Sequence, residues 1–251
     1  MNTRVDKTVV KSINLLEILA EANEPVGVTE LSKILGFTKS NAHRILQTWQ
    51  YLGYVQACPK SGKYKMSLKI WEIANQVIDK LNLRDIALPH MRELLQKCNE
   101  TVHLSVLDGA EVIYIDKLDS NHPVGAYSSI GGRAPAYCVA TGKVLLAHRS
   151  EETIAKVAEN MEQFTANTIH TYPSLISEME KIRKNGYSLN LGEWRSSVRG
   201  LGAPIRTQSG VIAAIGISGP VERLKKKTLT LFAPEVVAAA NKISTQLGYL
   251  Q

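Results

Sequence analysis

No aspartate or glutamate occurs between Glu30 and Glu72, although acids appear at ordinary density elsewhere in the 251 residues. The gap removes the groups that would repel a polyanion, while the same stretch keeps Lys33, Lys39, Arg44, Lys60, Lys63, Lys65 and Lys69. Each phosphate such a cation neutralises releases a counterion. Cysteine is scarce too: Cys58, Cys98 and Cys138 are odd in number and widely spaced, which argues against a disulfide framework or a zinc ribbon. No apolar run approaches the roughly 20 residues that cross a bilayer. Met1-Asn2-Thr3-Arg4-Val5-Asp6 lacks the apolar core of a secretion signal. These absences lead to the expectation of a cytoplasmic protein with no membrane partner. A hydrophobic content of 44% is enough for packed cores, and the length suits two modest domains.

The hydrophobic spacing inside the acid-free stretch gives it a shape. From Thr38 to Tyr54, at about 100° per residue, Ala42, Ile45, Leu46, Trp49 and Leu52 gather on one side of a helix. Ser40, His43, Arg44, Gln47 and Tyr51 gather on the other, and Thr38 can cap the start. Val28 to Leu35 reads as a shorter helix with Leu31, Ile34 and Leu35 on its buried stripe, ended by Gly36. Val9, Ile13, Leu16 and Ala20 make a third stripe, closed by Glu24-Pro25. Three helices with a tight Gly36-Phe37-Thr38 connection before the last match a helix-turn-helix, whose second helix enters the major groove. Behind it, Tyr54 to Ala57 and Lys63 to Met66 flank a Cys58-Pro59-Lys60-Ser61-Gly62 turn, a basic hairpin that serves as a wing. Lys39, Ser40, Asn41, His43, Arg44 and Gln47 are the candidate DNA readers, Thr38 is a further candidate DNA contact, and Lys60 and Lys63 are the wing's phosphate contacts.

Charge divides the chain unevenly. Residues 1–66 hold nine Lys or Arg and five acids, a net of +4, whereas residues 67–251 hold twenty-one and eighteen, a net of +3. The expected domains are therefore a winged helix-turn-helix over 1–66, a linker helix over 67–83 and a nearly neutral second domain over 84–251. The linker stripe is Ile70, Ile73, Ala74, Val77 and Ile78, suited to a helix partner and to a dimer interface. Leu83 to Cys98 reads as a helix containing Pro89, a kink or a late start. Thr101 to Leu107 and Val112 to Ile115 alternate around an Asp108-Gly109 turn, and Ile205 to Thr207 with Val211 to Ile217 flank Gln208-Ser209-Gly210. Helices are expected at Thr141–His148, Glu151–Asn160, Ser174–Asn185 and Thr228–Leu247. The fold class is α+β, an antiparallel sheet carrying helices.

Two segments of that domain could carry chemistry. Gly131 to Lys143 is a flexible loop feeding a helix start, where free amides attract carboxylate or phosphate. It is not a Walker A loop, since Tyr137 stands five before Gly142 and Val144 replaces the needed Ser or Thr. Alternatively it is a structural loop with Lys143 paired to a carboxylate. Asn190 to Ile205, with Glu193, Arg195, Arg199 and several small residues, suits a pocket rim or floor and equally a turn between strands.

The motifs Leu31-Ser32, Lys39 to Leu46 and Leu52-Gly53-Tyr54-Val55 resemble the IclR family of bacterial transcriptional regulators. So do Pro135 to Ala147, Gly186-Tyr187-Ser188, Ala203-Pro204-Ile205 and Ile217-Ser218-Gly219-Pro220, across about 190 residues. The resemblance implies a winged helix-turn-helix, a linker helix and a GAF-like domain that binds a small organic effector. Carried over by position, the effector site falls on the amides of Ala140 and Thr141 and on Asn190, Val198, Gly200, Gly216 and Ser218. Some members place an acid at 190, Cys at 200 and Ser at 216. The departures here imply a less polar, roomier site and an effector larger than a two- or three-carbon oxoacid, such as an aromatic compound.

The resulting expectation is a sequence-specific repressor that binds a palindromic double-stranded operator as a homodimer or a dimer of dimers. A small organic acid or aromatic effector closes the loop around Thr141 and changes the spacing of two recognition helices through the linker. No catalytic residue, cofactor or metal is expected. Two other readings stay open: gating by a protein partner, and a small-molecule hydrolase with Cys138 as nucleophile and His103 or His148 as base.

Overall fold

The computed structural model describes residues 5–73, 83–123 and 128–249. The chain divides into two compact units between Lys80 and Leu81.

In the first unit, α1 (Lys7–Glu21), α2 (Val28–Ile34) and α3 (Lys39–Tyr51) precede a hairpin of β1 (Val55–Ala57) and β2 (Tyr64–Met66). Asp6 starts α1 by accepting the Thr8 and Val9 amides, and Thr38 starts α3 by accepting the Asn41 amide at 3.3 Å. Gly36 makes the turn between α2 and α3 at φ +65°, a left-handed conformation that favours glycine. The hairpin pairs Val55 with Met66 and Ala57 with Tyr64, so the wing forms where the turn chemistry placed it.

Three expected stripes are corrected here. On α1 the buried residues are Leu15, Leu16 and Leu19, whereas Val9, Ile13 and Ala20 are exposed. The core-facing row is rotated by about one residue from the expected one, and Trp49 fixes it by donating its indole N–H to the Ser12 carbonyl at 3.2 Å. On α2 the inward row is Val28, Leu31, Ser32 and Leu35, spaced i, i+3, i+4, i+7, and it leaves Ile34 59% exposed. Leu52 is also exposed, because α3 stops at Tyr51 and the chain turns at Gly53. Of the expected linker helix, residues 69–73 are helical. Its remaining apolar positions, Ala74, Val77 and Ile78, lie outside the described residues.

The second unit is an antiparallel six-stranded sheet in the order β5-β4-β3-β8-β7-β6. The strands are β3 (Thr101–Asp108), β4 (Glu111–Leu118), β5 (Arg133–Pro135), β6 (Ser188–Asn190), β7 (Val198–Thr207) and β8 (Gly210–Pro220). One face is covered by α4 (Leu83–Cys98) and α8 (Lys226–Gln246), packed on Val102, Leu104, Leu201, Ala203, Ile215 and Ile217. The other carries α5 (Ala140–Ala147), α6 (Glu151–Ala158) and α7 (Tyr172–Asn185), packed on Val112, Tyr114 and Ala214. Strand side chains alternate between faces, so His103, Ser105, Gly216 and Ser218 point away from the first layer.

Several boundaries moved. Residues 198–204, expected as the rim or floor of a pocket or as a turn, are the first part of β7, and 133–135 in the expected flexible loop are β5. The helix expected from Ser174 begins at Tyr172, because Pro173 fits a first turn, where its missing N–H costs no bond. Pro89 lies inside α4, which neither starts late nor ends there.

Candidate functional site

The first unit exposes basic residues on α3 and on the hairpin. Lys39, Ser40, His43, Arg44 and Gln47 of α3 are exposed, as are Lys60 and Lys63 of the wing, while Thr38 is exposed at the cap and Asn41 is half-buried. Among the described residues the Arg44 guanidinium reaches Asn41 Oδ1 alone, at 3.4 Å, which leaves its remaining donors available to another acceptor. Lys69 behaves differently from the other cations. Its Nζ donates to the Leu52 carbonyl at 2.7 Å and lies 5.2 Å from the Tyr54 ring centre, which makes it a closing group for the end of α3. The stretch thus divides into free cations at the helix face and wing and one structural cation behind them.

The second unit holds a cavity between the start of α5 and the sheet. About 530 Å³ of atom-free space, part of it open to solvent, lies there. All seven residues proposed from the resemblance, Ala140, Thr141, Asn190, Val198, Gly200, Gly216 and Ser218, lie on its wall. Two glycines seat the helix there. A Cβ at Gly202 would stand 2.9 Å from the Ala140 carbonyl carbon and the Thr141 nitrogen. One at Gly216 would stand 2.7 Å from Thr141 Cγ2 and 2.5 Å from the Leu201 oxygen. The backbone of α5 therefore lies directly on the sheet, held also by the Ser105 hydroxyl donating to Thr141 Oγ1 at 3.0 Å. Val139 supplies no side-chain cap, so the first amides of α5 remain open to an anion.

This geometry corrects one expectation. Glycine at 200 and 216 does not widen the cavity, since a Cβ at Gly200 would meet the Ile217 oxygen at 2.8 Å and the place beside Gly216 is filled by Thr141.

Other wall residues were not assigned to the site from sequence. They include His103, Tyr114, Ser128, Trp194 and Arg195. The His103 and Tyr114 rings lie 4.8 Å apart between centres, and His103 Nε2 meets Ser218 Oγ at 2.5 Å. Burial, aided by nearby Lys117, holds the His103 pKa down at about 3, so the ring is neutral at physiological pH. Burial pushes the Tyr114 phenol up to about 12. The Arg195 guanidinium packs 4.8 Å from the Trp194 ring. No carboxylate is among the described wall residues. The strand alternation of Thr101 to Leu107 was the available signal for His103, and Trp194 and Arg195 lay in a segment already singled out as a possible rim.

Lys143 sits behind the wall. It is fully buried, and its Nζ bonds Glu178 at 2.9 Å and Glu193 at 2.8 Å. The carboxylate pairing is the second of the two readings its loop allowed. Glu193 belongs to the turn that carries Trp194 and Arg195. Asn190 Oδ1 accepts the Gly192 and Glu193 amides, and Thr165 Oγ1 donates to the Gly192 carbonyl at 2.7 Å. The wall opposite α5 is thereby tied to α5 through a buried ion pair.

The hydrolase reading fails on chemistry. Burial and the Glu193 charge push the Cys138 thiol up to about 12, so it is no nucleophile at neutral pH. His148 is bonded to the Val144 carbonyl and to Arg206, and His103 to Ser218. All three cysteines are free thiols. Among the described residues no helix is long and apolar enough to cross a membrane, and no cluster of three His, Cys, Asp or Glu suits a metal.

A winged helix-turn-helix with a carboxylate-free basic face, on one chain with an antiparallel sheet domain that encloses a small-molecule cavity, defines a DNA-binding transcriptional regulator. The comparisons with known proteins agree. Residues 8–58 match the IclR helix-turn-helix domain and residues 75–245 the bacterial transcriptional regulator IclR C-terminal domain. The chain is 36% identical over 245 residues to the HTH-type transcriptional regulator KdgR of Escherichia coli, covering 96% of this chain and 93% of that one. It is 31% identical over 247 residues to the transcriptional repressor IclR of the same organism, covering 96% and 90%. The crystal structure of an IclR homologue from Microbacterium hydrocarbonoxydans complexed with 4-hydroxybenzoate has the same fold, with a TM-score of 0.84, 24% identity and coverage of 96% of this chain and 99% of the other. The chain belongs to the IclR family of bacterial transcriptional regulators, a family of regulators and not of enzymes.

Proposed function

We propose that this regulator is a repressor whose hold on a palindromic operator is controlled by a small organic acid or aromatic effector bound between α5 and the sheet. The observation that carries the effector reading is the cavity itself. It joins open helix-start amides and an arginine with aromatic walls, and no described wall residue bears a carboxylate. A carboxylate would be favoured at the amides by the helix dipole, and a ring would be favoured against Tyr114 and Trp194. An effector larger than a two- or three-carbon oxoacid is supported by these aromatic walls, in place of the room once expected beside the glycines. That the fold accommodates 4-hydroxybenzoate in the Microbacterium homologue is consistent with this.

In this reading Arg44, with Lys39, Ser40, Asn41, His43 and Gln47, reads base edges, while Thr38, Lys60 and Lys63 contact the backbone. The regulator works in the cytoplasm as a homodimer or a dimer of dimers, since a palindrome requires two recognition helices at a fixed helical separation. The repressor assignment leans on the name of the Escherichia coli relative. Selection of bound duplexes from a random pool at low and moderate salt should enrich a palindrome that survives the higher salt. That operator then reports an effector screen, in which an aromatic acid should release DNA and raise the melting temperature of the protein. Saturable response to pyruvate or glyoxylate, with none to aromatic acids, would refute the effector class. A response to no acid at all would favour a protein partner.

A further inference from the structure

Arg84, Arg133 and Arg223 of the sheet domain are each paired with a carboxylate. Three other arginines, Arg149, Arg183 and Arg206, gather around His148 at the C-terminal end of α5, and among the described residues no carboxylate is bonded to any of them. They are anchored there by the fold. Arg183, in the last turn of α7, donates Nε to the Ala147 carbonyl at 2.6 Å. Arg149 donates Nη1 to the Val211 carbonyl at 3.1 Å. Arg206 is the cross-strand register partner of Val211, and its Nη2 donates to His148 Nε2 at 3.3 Å. Each guanidinium spends one nitrogen on the fold, and its other nitrogens make no hydrogen bond among the described residues. Arg149 and Arg206 are half-buried and Arg183 is exposed.

His148 fixes the charge of the cluster. Its Nδ1 meets the Val144 carbonyl at 3.0 Å, which can only accept, and its Nε2 meets a guanidinium, which can only donate. The ring therefore carries one proton, on Nδ1, and is neutral. Burial first, and then Arg206, Arg183 and Arg149, hold its pKa below the ordinary 6.5, and no carboxylate of the described residues acts on it. Glu151 and Glu152 follow in the first turn of α6, but Glu152 pairs with Lys156 at 2.8 Å and neither is bonded to an arginine among the described residues. Arg183 already answers the negative end of α5 at the Ala147 carbonyl. The cluster is left with three positive charges, which repel one another unless an anion from outside bridges them.

The shape of the guanidinium selects that anion. Its planar fork of N–H groups matches pairs of oxygens on carboxylate or phosphate. A carboxylate offers two oxygens and one charge, whereas a phosphate monoester offers three terminal oxygens and close to two charges at neutral pH, enough to be shared among three forks. We propose that Arg149, Arg183 and Arg206 form a second anion site, for the phosphate group of a small phosphorylated molecule, at the end of α5 opposite the effector cavity. The site goes beyond the effector reading and does not depend on it. It gives the regulator an input that reaches α5 from its other end.

The test is calorimetric titration of the full-length protein with glycerol 3-phosphate and with inorganic phosphate, at constant ionic strength. Both should bind saturably, and tighter binding of the ester marks an organic phosphate as the source whereas equal binding marks the free ion. The pair Arg149→Gln/Arg206→Gln should weaken both probes about 10-fold or more. Arg183→Gln, at an exposed position that disturbs the fold least, should weaken them about threefold or more. Operator affinity in phosphate-free buffer should stay within about twofold in each variant. Failure of both probes to bind overturns the proposal. Unchanged affinity in the variants overturns it as well, since it locates the phosphate at the start of α5 or on the DNA-binding face. If the variants weaken random duplex and leave both probes unchanged, the cluster belongs to the DNA surface and the proposal is wrong.

Discussion

Replacing Lys143 by methionine should destabilise the sheet domain more than any other single truncation of a charged residue in it. The lysine is 0% exposed, Glu193 is 8% exposed and Glu178 is 23% exposed, with contacts of 2.8 and 2.9 Å. Methionine fills much of the volume but leaves Glu193 without its counter-charge, and Glu193 Oε2 already lacks a hydrogen-bond partner among the described residues. Breaking a buried pair in this way costs about 3–5 kcal/mol. At about 2–4 °C per kcal/mol for a domain of this size, the melting temperature should fall by roughly 6–20 °C. The loss should depend on pH. Burial raises the Glu193 carboxyl above its ordinary 4.5, and Lys143 opposes that rise. Without Lys143 the folded state binds a proton that the unfolded state has released, so stability in that window falls as pH rises and is greatest below it. The variant should therefore lose less at pH 5 than at pH 8, and adding Glu193→Gln should recover part of the loss at pH 8. Denaturant unfolding followed by circular dichroism at the two pH values measures each quantity. A loss under about 1 kcal/mol at both, or a double variant weaker than the single one, would refute the reasoning.

Three further outcomes follow from other elements. Arg44→Ala should abolish or relax sequence-specific binding, whereas Lys60→Ala should weaken operator and random duplex alike and reduce the salt slope by about one, as read by fluorescence anisotropy over a salt series. Gly202→Val should lift the start of α5 from β7, where even a Cβ meets backbone at 2.9 Å, costing about 1–3 kcal/mol and most of the acid affinity by calorimetry. Trp49→Phe should cost about 1 kcal/mol in thermal unfolding of the DNA-binding unit, by removing the 3.2 Å bond to the Ser12 carbonyl while keeping an aromatic ring near Tyr54.

The elements that were legible in the sequence were those whose punctuation is local. Gly36 and Thr38 fix the turn and the cap of α3, and the wing follows from a five-residue turn between two short alternating runs. The stripes of α1 and α2 were misread because both helices are apolar on more than one side. Val9, Val10 and Ile13 of α1 are at least 42% exposed, and nothing in a list of apolar positions distinguishes them from Leu15 and Leu19. That choice is made by tertiary contacts such as the Trp49 to Ser12 bond. The early part of β7 suits a pocket rim or floor, or a turn, in the sequence because Gly200, Gly202 and Pro204 are poor strand formers. Gly202 occurs in a strand because the start of α5 requires bare backbone beneath it, so packing overrides the propensity there.

The same constraint explains which half of the site could be found from sequence. Ala140 and Thr141, which shape it through the backbone, stand in the Pro135 to Ala147 motif, and Gly202 and Gly216 leave bare backbone beneath them, since only small residues let a helix start approach a sheet so closely. His103 and Tyr114 come from the neighbouring strands β3 and β4 and have no such signature. They reach the cavity through strand register, and Tyr114 shares a face with Lys117 only because of the shift at Leu104/Ser105. In the proposed effector reading the backbone frame supplies a general anion site, and side chains from other strands decide which acid fits it. Changes at 103, 114 and 194 should alter effector preference while the frame is retained, and changes at 202 or 216 should remove the site for every acid.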